Sequence, residues 1–476
     1  MKKIKISDLK LVSGVKFGTS GVRGPVVDMT DEVCYAYCTA FLKIVSSGEK
    51  NVVLGHDLRP SSPRLSSACI AAIQDFGLNV VYCGALPTPA LAFYAAKLGG
   101  PAVVVTGSHI PFDRNGIKFY RANGEITKVD ELAIDNCSVE LPDRIGINPL
   151  PQIEPTAREL YLNRYVNFFG VDSLSALKLG VYEHSSVARD LLTDIIKKLG
   201  ATVISLGRTN QFVPIDTEAV RSEDVVLARR WAEEYKFDAI LSTDGDSDRP
   251  LIGDENGEWI KGDLVGILCA RYLNAQTVVS PVSSNTIIEK VGWFNHVVRT
   301  RIGSPFVISA MKGGDGITVG FEANGGFILG NEIKIGDKVL EALCTRDALL
   351  PMLTLLTSIK EKSCKMSKLI GDLPRRYTAS SRLESVSSCF SSGLISRCVH
   401  DFDYAVSILA PDLKCKMTLD TTDGFRAIFD NGDIVHLRPS GNAPELRCYT
   451  ESDSSERAAE LCVQCLQRIN KIVINN

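Results

Sequence analysis

Three aspartates at alternate positions, Asp244, Asp246 and Asp248, stand in STDGDSDRP (242–250), directly after the apolar run AIL. On a looping backbone that spacing turns three carboxylates toward one point, and their mutual repulsion calls for a neutralising cation. Donors that are all oxygen suit a hard divalent ion, Mg2+ or Ca2+. With Glu255 the segment also fits positions 1, 3, 5 and 12 of a calcium-binding EF-hand loop. Position 6, however, is Arg249 where that loop needs glycine, the flanks read as strands, and Pro250 follows at once. A guanidinium beside metal-binding carboxylates is better explained by a phosphate shared between Arg249 and the cation.

A second candidate is TGSHIPFDRNGIKFY (106–120), which follows the apolar run AVVV and sets Ser108 at the carboxyl end of a buried strand, where α/β sheets hold ligands. His109 is adjacent, and Lys118 follows at a distance that a folded-back loop closes, so the hydroxyl has basic neighbours. The G-x-S-x-G elbow of hydrolases is absent. In GFEANGGFILG (320–330), Glu322 can accept and Asn324 can both donate and accept hydrogen bonds from sugar hydroxyls. In RPSGNAPELRCYTES (438–452), Arg438 and Arg447 bracket Ser440, Gly441 and Asn442, a phosphate cradle by chemistry without a Walker sequence. Each segment alone reads as well as a plain polar turn. Together, a nucleophilic serine, a divalent cation, a polyol-binding loop and a phosphate clamp describe phosphoryl transfer on a phosphosugar.

The elements that must position these loops alternate. Apolar spacing predicts a helix over 30–45 with Thr30 as N-cap, then strand 51–57, helix 64–77, strand 78–84, helix 88–100 and strand 101–107. After the Pro-containing stretch 141–155, read as a linker, the rhythm restarts, and it restarts again after about residue 257. Three related α/β domains are expected. From about residue 367 the pattern changes to strand-like runs at 373–382, 398–406, 425–429, 434–440 and 446–452, followed by a helix over 455–472, which predicts a smaller α+β domain. The serine cluster 385–393 reads as a loop or helix start.

Composition narrows the function classes. The 476 residues are 45% apolar and 23% charged, which argues against disorder and a membrane-embedded body. Lys plus Arg total 53 against 56 Asp plus Glu, so no global basic field exists for nucleic acid or an anionic membrane. The 14 cysteines lack a disulfide framework and are read as reduced thiols, with the Cys462/Cys465 pair packing a helix. The N-terminus has no apolar signal region and no run reaches the ~18 apolar residues of a spanning helix, so a cytoplasmic location is expected.

With FGTSGVRG (17–24) and GHDLRPSS (55–62) added to the four segments above, the chain resembles the α-D-phosphohexomutase superfamily of phosphomannomutases and phosphoglucomutases over its whole length. The resemblance implies four domains around a central cleft, three related α/β and one C-terminal α+β, with bounds at 1–150, 151–255, 256–366 and 367–476. It implies that Ser108 carries the transferred phosphoryl group and binds Mg2+ together with Asp244, Asp246 and Asp248. By the same likeness Lys118 is the general base, with His109, Arg249 and Arg23 assisting. Glu322 and Asn324 would meet the sugar, and Arg438, Ser440, Gly441, Asn442 and Arg447 the non-reacting phosphate. The implied partners are a phosphosugar substrate and a hexose 1,6-bisphosphate activator, with no nucleic acid or membrane, in a monomer or dimer. Departures from the usual pattern are Gly107 and Ile110 in the serine loop, Ser247 for glycine in the metal loop, and Asn442 and Ala443 in the phosphate loop. In the sugar loop, Gly326 stands where the pattern Gly-Glu-x-Ser-Gly-His carries histidine. A phosphoglucosamine mutase and a catalytically silent sugar-phosphate binder are the alternatives; retention of Ser108, Lys118 and the three aspartates argues against silence.

Overall fold

The computed structural model describes residues 2–18, 21–46, 48–409, 416–440 and 445–474. Three of its sheets share one wiring. In the first, Asn51–His56 lies between parallel neighbours Asn79–Ala85 and Ala102–Val105, and Arg114–Arg121 joins antiparallel beyond the latter. In the second, Lys178–Tyr182 lies between Thr202–Leu206 and Ala239–Thr243, with Pro250–Gly253 antiparallel. In the third, Thr277–Pro281 lies between His296–Thr300 and Thr318–Phe321, with Phe327–Leu329 antiparallel. Helices such as Ser62–Asp75, Arg189–Lys198 and Gly262–Tyr272 alternate with these strands. The strand Ala102–Val105, AVVV, is buried along its whole length, as a β-branched strand covered on both faces must be.

The shared wiring has a chemical consequence. In each sheet the turn from the last parallel strand into the antiparallel one is a chemistry-bearing segment: 106–113 with Ser108, 244–249 with the three aspartates, and 322–326 with Glu322. The carboxyl ends of parallel strands leave an open crevice, and the reversal of direction lets the loop fold back over it.

One hydrophobic cluster runs from Val53 to Leu373 through all three sheets. Helix Thr156–Phe169, which follows the linker, ties them together. The Tyr161 hydroxyl donates to the Asp347 carboxylate at 2.7 Å, Tyr165 donates to the same carboxylate, and the Arg164 guanidinium donates to the Glu341 carbonyl at 2.7 Å. The fourth large sheet is antiparallel throughout, in the order Tyr377–Glu384, Glu445–Ser452, Ile434–Pro439, Phe425–Phe429, Met417–Asp420. Its own cluster, from Val386 to Ile469, is closed by helix Ser455–Ile474, with Cys462 and Cys465 buried in it.

Thr30 caps helix Asp31–Val45 as expected, its Oγ1 accepting the Val33 N–H at 3.3 Å. The strand expected over 398–406 is corrected: helices Ser388–His400 and Phe402–Leu409 cover it. Buried Ser391, Leu394 and Cys398 stand at i, i+3 and i+7, and Ala405, Ile408 and Leu409 at i, i+3 and i+4, a helical period, and Ser387 starts the run by accepting the Phe390 N–H. The described cysteines are free thiols, and among the described residues no helix is long and apolar enough to cross a membrane.

Candidate active site

The serine and metal loops meet. Ser108 is fully buried, and its hydroxyl donates to Asp244 Oδ2 at 2.6 Å, with His109 Nδ1 3.4 Å from the same Oγ. Its φ of 55° is left-handed, a conformation that costs a non-glycine residue roughly 1–2 kcal/mol. The strain is sustained from below by Arg59. One buried guanidinium donates to the carbonyls of Ser108 (2.9 Å), Ile110 (2.6 Å), Pro111 (2.6 Å) and Arg114 (2.9 Å), and to Asp57 Oδ2 at 3.0 Å. The Phe212 ring covers it at 4.0 Å, and a Cβ at Gly107 would lie 2.7 Å from its Cζ, so this serine loop needs glycine at 107.

Lys118 reaches the metal loop because its strand folds back antiparallel on Ala102–Val105, pairing Lys118 with Val104. Its Nζ donates at 2.6 Å to both Asp246 Oδ2 and Asp248 Oδ2. Thr88, opening helix Thr88–Leu98, adds its hydroxyl at 2.5 Å to Asp246 Oδ2 and its N–H at 3.0 Å to the Asp246 carbonyl. Carboxylate oxygens of Asp244, Asp246 and Asp248 lie within 4.8 Å of one another, and all three residues are buried. Burial, then Asp246 and Asp248, push the Asp244 carboxyl well above its usual range. Burial pushes Asp248 the same way, but Arg346, Lys118 and Arg249 outweigh it and hold Asp248 far below that range. Oδ1 of Asp246 and of Asp248 are buried without a hydrogen-bond partner among the described residues, so the cluster retains acceptor capacity for a hard cation. Glu255, the fourth ligand of the EF-hand alternative, is elsewhere, accepting the Ser367 N–H at 3.1 Å.

Ser247 has φ 61°, so the turn requires the left-handed conformation that glycine adopts freely. Serine is tolerated because its buried hydroxyl lies 2.9 Å from Thr243 Oγ1 and 3.0 Å from Ser186 Oγ, and accepts the Ala188 N–H at 3.2 Å.

A cationic wall faces these carboxylates. Arg249 Nε stands 3.7 Å from Asp248 and 4.0 Å from Asp244. Arg23 is brought in by its strand, where it pairs with Gly116; burial, Arg249 and Arg346 lower its guanidinium to about 10. Burial, then Arg249 and Arg23, hold His109 well below its ordinary value. Arg346, which sequence reasoning missed, joins the metal loop to the sugar loop, with Nη2 2.8 Å from Asp248 Oδ2 and Nη1 3.1 Å from Glu322 Oε2. Nothing in TRDALL (345–350) marks it; only a sheet that carries its edge strand back to the loops makes it visible.

Asn324 is committed mainly to its own turn. Its Oδ1 accepts the Gly326 N–H at 2.9 Å and its carbonyl accepts the Thr217 hydroxyl at 2.7 Å, leaving the amide NH2 as what it can offer a ligand. Arg438 and Arg447 are cross-strand partners. Arg438 pairs with Asp423 at 3.3 Å and Arg447 with Glu445 at 3.5 Å, while the Ser440 N–H donates to the Glu445 carbonyl at 2.8 Å. Gly441 and Asn442 lie outside the described residues. Glu218, also missed, links this end to the centre: burial and Asp216 raise its carboxyl to about 6 against the pull of Arg249 and Arg447. The acid pair Asp216/Glu218 in VPIDTEAV was the available signal.

The chain is similar in sequence and fold to known proteins. The phosphoglucomutase/phosphomannomutase sequence models match as alpha/beta/alpha domain I over residues 14–139, alpha/beta/alpha domain III over 261–377 and the C-terminal domain over 401–467. A phosphomannomutase of Salmonella muenchen is 48% identical over 465 residues, covering 96% of each chain. Among solved structures, a phosphoglucomutase/phosphomannomutase family protein from Burkholderia thailandensis superimposes with a TM-score of 0.75 at 20% identity, over 95% of this chain and 97% of its own. Aspergillus fumigatus N-acetylphosphoglucosamine mutase, solved with GlcNAc-6P and magnesium, gives 0.56 at 15% identity over 98% of each chain. The chain belongs to the phosphoglucomutase/phosphomannomutase family of the α-D-phosphohexomutase superfamily, and it is an isomerase that works by phosphoryl transfer.

Proposed function

We propose that the chain interconverts the 1- and 6-phosphates of mannose or glucose through a phosphorylated Ser108 and a hexose 1,6-bisphosphate that serves as both intermediate and activator. The observation that carries this reading is the buried Ser108 hydroxyl, 2.6 Å from Asp244 in a three-carboxylate cluster and opposite Lys118 and Arg249. Four units, 1–150, 151–255, 256–366 and 367–476, each give one loop to the site; the one large sheet within each range supports that division.

Asp244, Asp246 and Asp248, with an oxygen of the phosphorylated serine, would hold Mg2+. Their oxygen-only donors and the two unpartnered Oδ1 atoms fit a hard cation. When bound, that ion neutralises charge on the transferring phosphoryl group. The rest falls to side chains. Arg438, Ser440, Asn442 and Arg447 grip the non-reacting phosphate, and Glu322 and Asn324 orient the ring, so that a sugar hydroxyl meets the phosphoserine in line. The phosphoryl group passes from Ser108 Oγ to that hydroxyl: the P–Oγ bond breaks as the new P–O bond forms. The hydroxyl's proton goes to Lys118 Nζ acting as the uncharged amine, whose two N–H bonds to Asp246 and Asp248 leave its lone pair free, and the departing Oγ takes a proton from solvent. Arg23 and Arg249 steady the equatorial oxygens, and His109, its Nδ1 3.4 Å from Oγ, receives the Ser108 hydroxyl proton when the serine is rephosphorylated from the other end of the turned-over bisphosphate. The 48% identity to a phosphomannomutase favours mannose phosphate over an amino sugar.

The test is steady-state turnover of mannose 1-phosphate, glucose 1-phosphate and glucosamine 1-phosphate, side by side, with Mg2+ and a trace of hexose 1,6-bisphosphate. Turnover led by mannose or glucose is expected. A glucosamine preference would move the chain to amino-sugar phosphates, and no turnover of any of the three would leave a silent binder.

A further inference from the structure

Gly326 does not owe its glycine to backbone conformation. Its neighbour Gly325 has φ +86°, whereas Gly326 lies outside the left-handed region. What excludes a side chain at 326 is Arg346: a Cβ there would sit 2.5 Å from Arg346 Cδ, 2.9 Å from its Cγ and 3.1 Å from Asn324 Oδ1. Cδ and Cγ belong to the middle of a side chain pinned at its far end by Asp248 and Glu322, so they cannot swing away. Arg346 is delivered to this place by the strand Leu343–Asp347, which pairs antiparallel with Phe327–Leu329 directly after the sugar loop. In the resembled Gly-Glu-x-Ser-Gly-His pattern this is the histidine position; here the aliphatic stem of Arg346, rooted on the next strand, occupies the space that a side chain at 326 would need.

We propose that Arg346 is a positioning residue for the reaction, paired with Gly326, that fixes the Glu322 carboxylate relative to the Asp248 carboxylate. This rests on the roles given above to Glu322 at the sugar and Asp248 at the cation. A guanidinium has donors in a rigid plane, so bonds from Nη1 to one carboxylate and from Nη2 and Nε to another set the angle between them, which an ammonium cannot do. The two carboxylates belong to different sheets, so the fork locks sugar loop to metal loop. Without Arg346, Asp248 still keeps Lys118 at 2.6 Å and Arg249 at 3.7 Å. Among the described residues the ion pair of Glu322 is with Arg346. Loss of Arg346 must therefore be felt chiefly at the sugar.

The experiment compares full-length wild type with Arg346→Met, Arg346→Lys and Arg346→Ala, using mannose 1-phosphate and glucose 1-phosphate, Mg2+ and a trace of bisphosphate. Expected for Arg346→Met is a loss of about 100-fold in kcat/KM that includes a raised KM, while the Mg2+ concentration giving half activity moves less than about threefold. Arg346→Lys should recover little of this. Added guanidinium should raise Arg346→Ala several-fold and leave Arg346→Met, whose side chain fills the space, unchanged. A Met variant with kcat/KM within about threefold of wild type, or an Ala variant indifferent to guanidinium, overturns the positioning role. The pairing is decided without activity, by melting temperatures: Gly326→Ala should destabilise wild type and cost much less in the Arg346→Ala background, and additive effects would overturn it. A wild type that turns over no hexose phosphate would sink the functional reading, and the positioning role with it, while the melting temperatures still decide the pairing.

Discussion

Arg59 is the residue on which the serine loop is built, and replacing it with methionine separates that role from catalysis. Methionine keeps most of the aliphatic length but removes five donations: one to the Asp57 carboxylate and four to the carbonyls of Ser108, Ile110, Pro111 and Arg114. Both members of the Arg59–Asp57 pair are fully buried. Removing one partner of such a pair typically costs about 3–5 kcal/mol. Asp57 is partly protected, because the hydroxyls of Ser62 (2.5 Å) and Thr106 (2.8 Å) still donate to it. The carbonyls fare worse, at about 1–3 kcal/mol for each acceptor left buried and unmet, although a loosened loop lets water reach them. A net loss of about 4 kcal/mol, or about 8–16 °C in melting temperature for a unit of this size, is therefore expected. Because the loop can open before the sheet does, turnover should fall further than stability, and limited proteolysis should cut first between 108 and 114. Arg59→Lys, which can keep the Asp57 pair but cannot span four carbonyls, should fall between the two. A methionine variant melting within about 2 °C of wild type, with more than about half its turnover and no new cleavage site, would refute the reasoning.

Gly107→Ala, which puts a Cβ 2.7 Å from Arg59 Cζ, should weaken the same loop and lower both melting temperature and turnover, whereas an unchanged enzyme would show that the guanidinium can shift. Ser108→Ala should abolish turnover and the acid-stable phosphoryl label seen by mass spectrometry while leaving substrate binding by calorimetry largely intact; near-normal activity would remove the phosphoserine. Arg447→Ala should raise KM for the hexose phosphate by about tenfold or more with a smaller change in kcat, since it loses a charge-assisted grip on the distal phosphate. Burial holds His436, 1% exposed, at about 4, below its ordinary 6.5. The unfolded chain then binds the extra proton between those values, so the stability it contributes is intact above pH 6.5 and is lost as pH falls toward 4, on the order of 3 kcal/mol in all. His436→Gln should flatten that part of the melting-temperature profile, and an unchanged slope from pH 6.5 to 4 would show that the histidine is not its source.

The α/β layering and the strand-end turns that carry Ser108 and the three aspartates were legible because they depend on local signals. AVVV and AILST are buried strands by composition alone, and a strand that ends in TGS or DGDSD must be followed by a turn. The 398–406 segment was misread because CV and YAV look strand-like when taken a few residues at a time; over twenty residues the burial period is helical. Arg346, Thr88, Glu218 and Arg59 escaped for a different reason. Each acts on a loop more than forty residues away in sequence, and neither periodicity nor spacing carries such a relation: Thr88 meets Asp246, Arg346 meets Asp248, and Arg59 meets the carbonyl of Ser108.

Thr88 and Arg346, together with Ser108 and Lys118, also explain why the cluster can exist. Three carboxylates packed within 4.8 Å and shut away from water would repel strongly, yet no single partner neutralises them. Asp244 faces a hydroxyl, Asp246 is shared between Thr88 and Lys118, and Asp248 is held by Lys118 and Arg346, so the compensation comes from the other two units as well as their own. The repeated wiring brings three loops to one crevice; the cross-contacts let them stay there. A substitution that loosens one contact should therefore be read in the geometry of the loop across from it, as the Glu322 carboxylate reads Arg346 and the Ser108 backbone reads Arg59.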